Sequence, residues 1–263
     1  MTAGLETLRV GRLPYLNAWP FHHASGSTAP VWISAPPRRL GELAARHALD
    51  AALLASRDAL ALRRHYRPLG PLGIARSGAV ESVLLLSRRP VPELAGRRVA
   101  LSGESRTSRA LLRILLVDAF DLRDVEYVEH DEPADACLAI GDEALARRAS
   151  GGWPVVLDLG AEWTRFTGLP FVYARWVVRR DVAPEAARAL CEALSASLDA
   201  RRDPDSAPRP AGMNTRDVRR YLAGFVYRLG PAEQAGLTRF HQELARHDLL
   251  RHHRERVAIG SAA

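Results

Sequence analysis

The chain has 263 residues, enough for one large domain or two modest ones. With 47% apolar and 25% charged residues it has a globular composition, and no stretch approaches the roughly 20 apolar residues that a membrane helix needs. Its net charge of +7 is carried by scattered arginines without a single lysine, which excludes a Schiff base, a pyridoxal phosphate anchor and a P-loop; lacking a nucleic-acid-binding motif, that charge points to an anionic small molecule.

Residues 1–10 have neither a basic start nor an apolar core, so a cytoplasmic location is expected, with no membrane and no nucleic-acid partner. A first strand is predicted at 8–11. The segment Leu13-Pro14-Tyr15-Leu16-Asn17-Ala18-Trp19-Pro20-Phe21 follows, and its prolines forbid a regular central strand or a long helix. A strand at 31–33, a helix at 38–46, a buried strand at 49–54 and a helix at 58–65 come next. Two further strands are predicted at 69–74 and 80–87. Arg88-Arg89-Pro90-Val91-Pro92 marks a break. A second α/β run then has strands at 98–101, 125–128, 136–140 and 155–159, with helices at 109–119 and 142–149. An aromatic stretch, 160–178, is read as a loop around Thr164–Phe171. Helices at 184–200, 215–224 and 231–247 finish the chain, with a Pro-rich loop at 201–211.

Strands alternating with helices predict an α/β class with mixed, mostly parallel sheets. Two lobes are expected: 1–87 with 178–263 as the first, and an inserted 88–177 as the second. Ligands of such folds bind at the carboxyl ends of strands. That singles out Tyr15–Asn17, Ala55–Ser56, Ser102–Ser108, Gly141–Asp142 and Thr164–Phe171.

Within these, Ser105, Thr107 and Ser108 follow Gly103 and open an amphipathic helix pattern. A helix start carries unpaired N–H groups and positive partial charge, so hydroxyls there make a seat for a carboxylate or phosphate. One hydroxyl suffices for a cap. Asn17 offers a donor and an acceptor without charge, or serves a turn. Ser82 is an ordinary strand hydroxyl or a cleft residue. Asp142 reads as an N-cap. Glu162, Trp163, Thr167 and Phe171 sit in an aromatic loop, where Trp163 and Phe171 wall a pocket or belong to the core. His22 and His23 offer a base or lie on the surface. Cys137 and Cys191 are expected reduced and buried. No zinc spacing occurs, and the adjacent pairs His22-His23 and His252-His253 cannot share one helix face, so no metal and no cofactor are expected. No nucleophilic triad is readable. The residues alone lead to a two-lobed cleft protein for a small anion, binder or enzyme.

Several motifs become recognisable together: Val10-Gly11-Arg12-Leu13-Pro14-Tyr15-Leu16-Asn17, Leu49-Asp50-Ala51-Ala52-Leu53-Leu54-Ala55-Ser56, Ser82-Val83-Leu84-Leu85-Leu86-Ser87, Val99-Ala100-Leu101-Ser102-Gly103-Glu104-Ser105-Arg106-Thr107-Ser108, Ile140-Gly141-Asp142-Glu143-Ala144-Leu145, Asp158-Leu159-Gly160-Ala161-Glu162-Trp163 and Thr167-Gly168-Leu169-Pro170-Phe171-Val172. In this order the chain resembles the chorismate dehydratase family of the futalosine route to menaquinone. It departs from that family at Ala55, where Ser is frequent, and at Arg106, where a small residue is common. The resemblance implies a periplasmic solute-binding-protein type II-like fold without export, with the ligand cleft between the lobes. It implies a hydro-lyase that takes chorismate to 3-[(1-carboxyvinyl)oxy]benzoate, with Asn17 catalytic. It also implies that Tyr15, Ser56, Ser82, Ser105, Thr107, Ser108, Gly141 and Thr167 bind substrate. No cofactor is implied, and the chain is expected as a monomer or homodimer. The alternatives are a non-catalytic cytoplasmic solute-binding protein, a regulator's ligand-sensing domain, and the sister enzyme that cleaves a dehypoxanthine futalosine.

Overall fold

Apolar runs stopped by Gly, Pro and Ser become buried strands in the computed structural model, which describes residues 5–22, 29–200, 206–210 and 212–250. The chain begins with β1 (Arg9–Arg12), a 3-10 turn at Leu16–Phe21, β2 (Val31–Ser34), α1 (Pro37–Ala45), β3 (Ala51–Ala55), α2 (Ser56–Ala61) and β4 (Tyr66–Arg76). It then crosses to a second lobe. There it forms β5 (Val83–Ser87), β6 (Arg97–Leu101), α3 (Arg106–Asp118), β7 (Val125–Glu129), β8 (Ala136–Ile140), α4 (Gly141–Ser150), β9 (Val155–Asp158) and α5 (Leu159–Thr167). It returns through β10 (Phe171–Arg179) and ends with α6 (Pro184–Asp199), α7 (Thr215–Ala223), β11 (Val226–Arg228) and α8 (Pro231–Arg246).

Strand order in the first sheet is β11-β4-β10-β3-β1-β2, and in the second β7-β6-β8-β5-β9. The sheets are mixed, but they are not mostly parallel. β1 runs parallel to β2 and β3, and β6 to β7 and β8. β10 is antiparallel to β3 and β4, β5 to β8 and β9, and β11 to β4. The reason lies in the crossings: β5 and β10 each enter a sheet from the other lobe, against the direction set by its β–α units. The same strands move the lobe boundaries. The expected breaks at 87/88 and 177/178 fall past β5 and inside β10, whereas the chain changes sheets at 77–82 and 168–170. The proline break is only a short 3-10 turn, Val91–Leu94, within the second lobe.

The segment read as an aromatic loop is regular. Asp158 caps α5 by accepting the N–H groups of Gly160 and Ala161, and Gly168, at φ 72°, ends it. Phe171 then packs edge-on against Phe240 of α8 (4.9 Å) and Trp163 of α5 (5.3 Å). Trp176 does the same against Phe21 (5.6 Å) on the other side of the strand. β10 is therefore core on both faces, which makes it the rigid support behind the cleft.

Candidate functional site

Strand ends from both lobes meet at one narrow cavity of about 40 Å3. The first lobe contributes Leu13, Tyr15, Asn17, Pro37, Ala55, Ile74, Tyr173 and Ala174; the crossing segment and the second lobe contribute Ser82, Val83, Ser105, Thr107, Ser108, Ile140 and Gly141. Among the described residues no charged side chain lines it. Its polar character comes from hydroxyls, one amide and the starts of α3 and α4, whose first-turn N–H groups have no intrahelical partner.

Ser105 is the N-cap of α3: its Oγ accepts the Ser108 N–H and the Ser108 hydroxyl, each at 3.2 Å. Thr107 Oγ1 accepts the Arg57 N–H at 3.1 Å, which ties the two lobes and leaves the threonine O–H to donate. Arg106 turns away from the cavity to Glu42 (3.4 Å) and Asp58 (3.6 Å) on the first lobe. Behind the helix start, Arg109 is buried and donates to the Ser102 carbonyl at 2.7 Å.

Tyr15 closes the cavity from the other side. Its ring lies over Gly141, where a Cβ would sit 2.9 Å from the ring carbons; Gly141 also takes φ 61°, a left-handed backbone that favours glycine. The Tyr15 O–H donates to Glu104 Oε2 at 2.6 Å, and burial together with that carboxylate pushes its phenol far above the usual range. Asp142 accepts the Leu16 N–H at 3.1 Å across the cleft. It is thus not the N-cap of α4, a position Ile140 fills without a side-chain bond. Burial raises the Asp142 carboxyl above its ordinary value.

Ser82 sits where the chain crosses between lobes. Its Oγ accepts the Tyr221 O–H at 2.7 Å, and its carbonyl accepts the Gly141 N–H at 2.8 Å. Asp158 stiffens this crossing by accepting the N–H groups of Val80 (3.0 Å) and Glu81 (2.7 Å). Asn17 is held on the Leu16–Phe21 turn, and its Oδ1 is buried without a hydrogen-bond partner.

The structure thus gathers Tyr15, Asn17, Ser82, Ser105, Thr107, Ser108 and Gly141 around one space. Ser56 and Thr167 do not belong to it. The Ser56 hydroxyl donates to the Val172 carbonyl, and its side chain is fully buried under β10. The Thr167 hydroxyl donates to the Trp163 carbonyl at 2.8 Å and accepts the Leu169 N–H at 3.2 Å, which finishes α5. Both hydroxyls are spent on backbone. His22 is spent in the same way on the Leu13 carbonyl (2.8 Å), and His23 lies outside the described residues. Tyr173, a cavity wall residue, has no signal in the sequence, where the expected loop ends at Phe171 and the run after it is assigned no element.

Elsewhere, Asp118, Glu243 and His247 bring ligand-type atoms within 4.8 Å of one another. Arg246 pairs with both carboxylates and Arg239 with Glu243, so guanidinium already balances that charge and the cluster joins α3 to α8 as an ion-pair network. Cys137 and Cys191 are free; Cys137 is buried and Cys191 half-buried. Among the described residues no helix is long and apolar enough to cross a membrane.

A family described as menaquinone biosynthesis matches residues 8–246. A chorismate dehydratase of Thermus thermophilus is 32% identical over 256 residues, covering 88% of this chain and 92% of that protein. A 1,4-dihydroxy-6-naphtoate synthase of Streptomyces coelicolor is 29% identical over 137 residues, 48% of each chain. Among solved structures, a protein of Archaeoglobus fulgidus superposes with a TM-score of 0.74 at 21% identity, covering 93% of this chain and 98% of that one. The alkanesulfonate-binding protein of Xanthomonas axonopodis pv. citri, bound to MOPS, gives 0.67 at 16% identity, covering 95% and 96%. The fold is that of the two-lobed solute-binding proteins.

Proposed function

The chain belongs to the menaquinone biosynthesis family, and we propose that within it the protein is a chorismate dehydratase, forming 3-[(1-carboxyvinyl)oxy]benzoate and water. Chorismate carries two carboxylates, a cyclohexadiene ring and a hydroxyl. Loss of the C3 hydrogen and the C4 hydroxyl makes the ring aromatic. The product supplies the driving force, so the protein's task is orientation and placement of charge.

Ser105 and Thr107 at the α3 start grip one carboxylate through their O–H groups, with Ser108, whose N–H and O–H both go to Ser105, holding that cap in place, and Ser82 grips the other. When the C3 proton leaves, the charge spreads through the diene into the ring carboxylate. Donors fixed at a helix start stabilise that charge without reorganising. A substrate carboxylate accepts the C3 proton; the C4–O bond then breaks, and the departing hydroxide takes up that proton as water. Asn17 holds the reacting groups. Among the described residues the wall carries no acid or base side chain, which supports a substrate carboxylate as the proton acceptor. A ring dicarboxylate does not fit in about 40 Å3, so the lobes part to admit it.

The observation that carries this reading is the position of Asn17: its carbonyl oxygen is buried and unpartnered on the same uncharged cavity as the hydroxyl-bearing α3 start. Chorismate turnover, followed by ultraviolet absorbance of the aromatic product, tests it. Wild type forms product, and Asn17→Asp is slower by about 100-fold or more. Equal rates discard the role of Asn17. Binding of chorismate without any product favours a solute-binding protein.

A further inference from the structure

Tyr15 and Tyr173 line the cleft and Tyr221 backs it through Ser82; two of the three have their hydroxyls committed, Tyr15 to Glu104 and Tyr221 to Ser82. The third, Tyr173, forms part of the cavity wall from β10, yet its hydroxyl is buried and has no hydrogen-bond partner. A buried hydroxyl without a partner is costly, so such a group calls for an explanation. Its surroundings favour the neutral phenol: burial comes first, and the negative charge of Asp158 adds to it. A phenol locked in that form is a donor, not a base.

Its place in the fold indicates what it donates to. The hydroxyl lies beside Gly160 at the start of α5, where a Cβ would collide with it; the Gly78 carbonyl and Val80 border the same spot. This is the hinge end of the cavity, the end at which Ser82 also stands. Tyr173 belongs to the first lobe, whereas Gly160 belongs to the second. Parting the lobes to admit a ring therefore moves Gly160 off the hydroxyl and opens it to the ligand. Resting on the dehydratase reading, we infer that Tyr173 is a further substrate-binding residue, whose O–H donates to the substrate carboxylate held at the hinge end with Ser82. A neutral donor to a carboxylate is among the stronger hydrogen bonds available in such a site.

The test is Tyr173→Phe, compared with wild type in chorismate turnover over a range of concentrations and in thermal unfolding of the free protein. The variant loses about 10- to 100-fold in kcat/KM, chiefly through KM. Its Tm in the absence of ligand is unchanged or higher, because a hydroxyl without a partner is removed. A purely structural tyrosine gives the opposite sign in Tm. A kcat/KM within about twofold of wild type, or a lowered Tm, overturns the inference while leaving the dehydratase reading intact. Should wild type form no product, the dehydratase reading falls, and calorimetric binding of chorismate to both proteins decides for Tyr173. Tenfold weaker binding by the variant upholds the contact; equal affinity, or no binding by either protein, overturns it.

Discussion

The wall of the cleft and its rim use opposite chemistry. The wall is built from hydroxyls, an amide, aromatic rings and helix starts, and among the described residues no charged side chain lines it. The rim is charged and crosses between lobes: Arg106 to Glu42 and Asp58, Tyr15 to Glu104, Leu16 to Asp142. One residue step in the first turn of α3 separates the two, since Arg106 faces out while Thr107 faces in. The contrast teaches a division of labour. Neutral donors preorganise around a dianion without presenting a competing acid or base, and charged side chains, partly hydrated, bias the lobes toward closure.

Altering the wall should have the largest effect. Gly141→Ala places a Cβ against the Tyr15 ring on a left-handed backbone, and turnover should fall by about 100-fold or more as Tyr15 is displaced. Steady-state kinetics check this; activity close to wild type would mean that the Tyr15 wall is dispensable. Removing a rim charge costs less. Arg106→Ala should raise KM by about 3- to 10-fold with kcat nearly unchanged, and the effect should shrink in high salt. A fall in kcat alone would place Arg106 in the chemistry.

Regions outside both wall and rim should affect stability only. Burial, together with the nearby charges of Arg175 and Arg63, holds the His241 imidazole down at about 4 against an ordinary 6.5. The unfolded chain therefore takes the proton first. Stability is full above pH 6.5 and declines as the pH falls toward 4, by about 1–2 kcal/mol after allowance for partial exposure. His241→Gln should flatten that acid limb in denaturant titrations at pH 7 and 4.5. Smallest of all is Ser56→Ala, which removes the donor to the Val172 carbonyl; it should cost about 1 kcal/mol in unfolding experiments and leave KM unchanged. A raised KM would return Ser56 to the site.

These cases also mark where sequence reading succeeds. The α3 start is legible because its signals are local: a strand ending at Leu101, Gly103, then hydroxyls and an apolar periodicity. Asn17 and Gly141 are legible as residues at strand ends, where α/β folds place ligands. Ser56 and Thr167 look like cleft hydroxyls in sequence, but their partners are backbone carbonyls: that of Ser56 is 116 residues away, which no local pattern reveals, and that of Thr167 is one helical turn back, which shows only once α5 is known to be a helix. Asp142 has a capping position by sequence and a partner in the other lobe by structure. Up to residue 178, β10 is apolar on both faces apart from Arg175, so it shows no clean alternation to read, and Tyr173 carries no signal of its own.

The most direct measurement of the central claim is a crystal structure with 3-[(1-carboxyvinyl)oxy]benzoate bound. The ring is expected between Tyr15 and Asn17, one carboxylate within hydrogen-bond distance of the Ser105 and Thr107 hydroxyls at the α3 start, and the other near Ser82. A product molecule lodged elsewhere, or carboxylates met by arginine side chains instead of these hydroxyls, would contradict it.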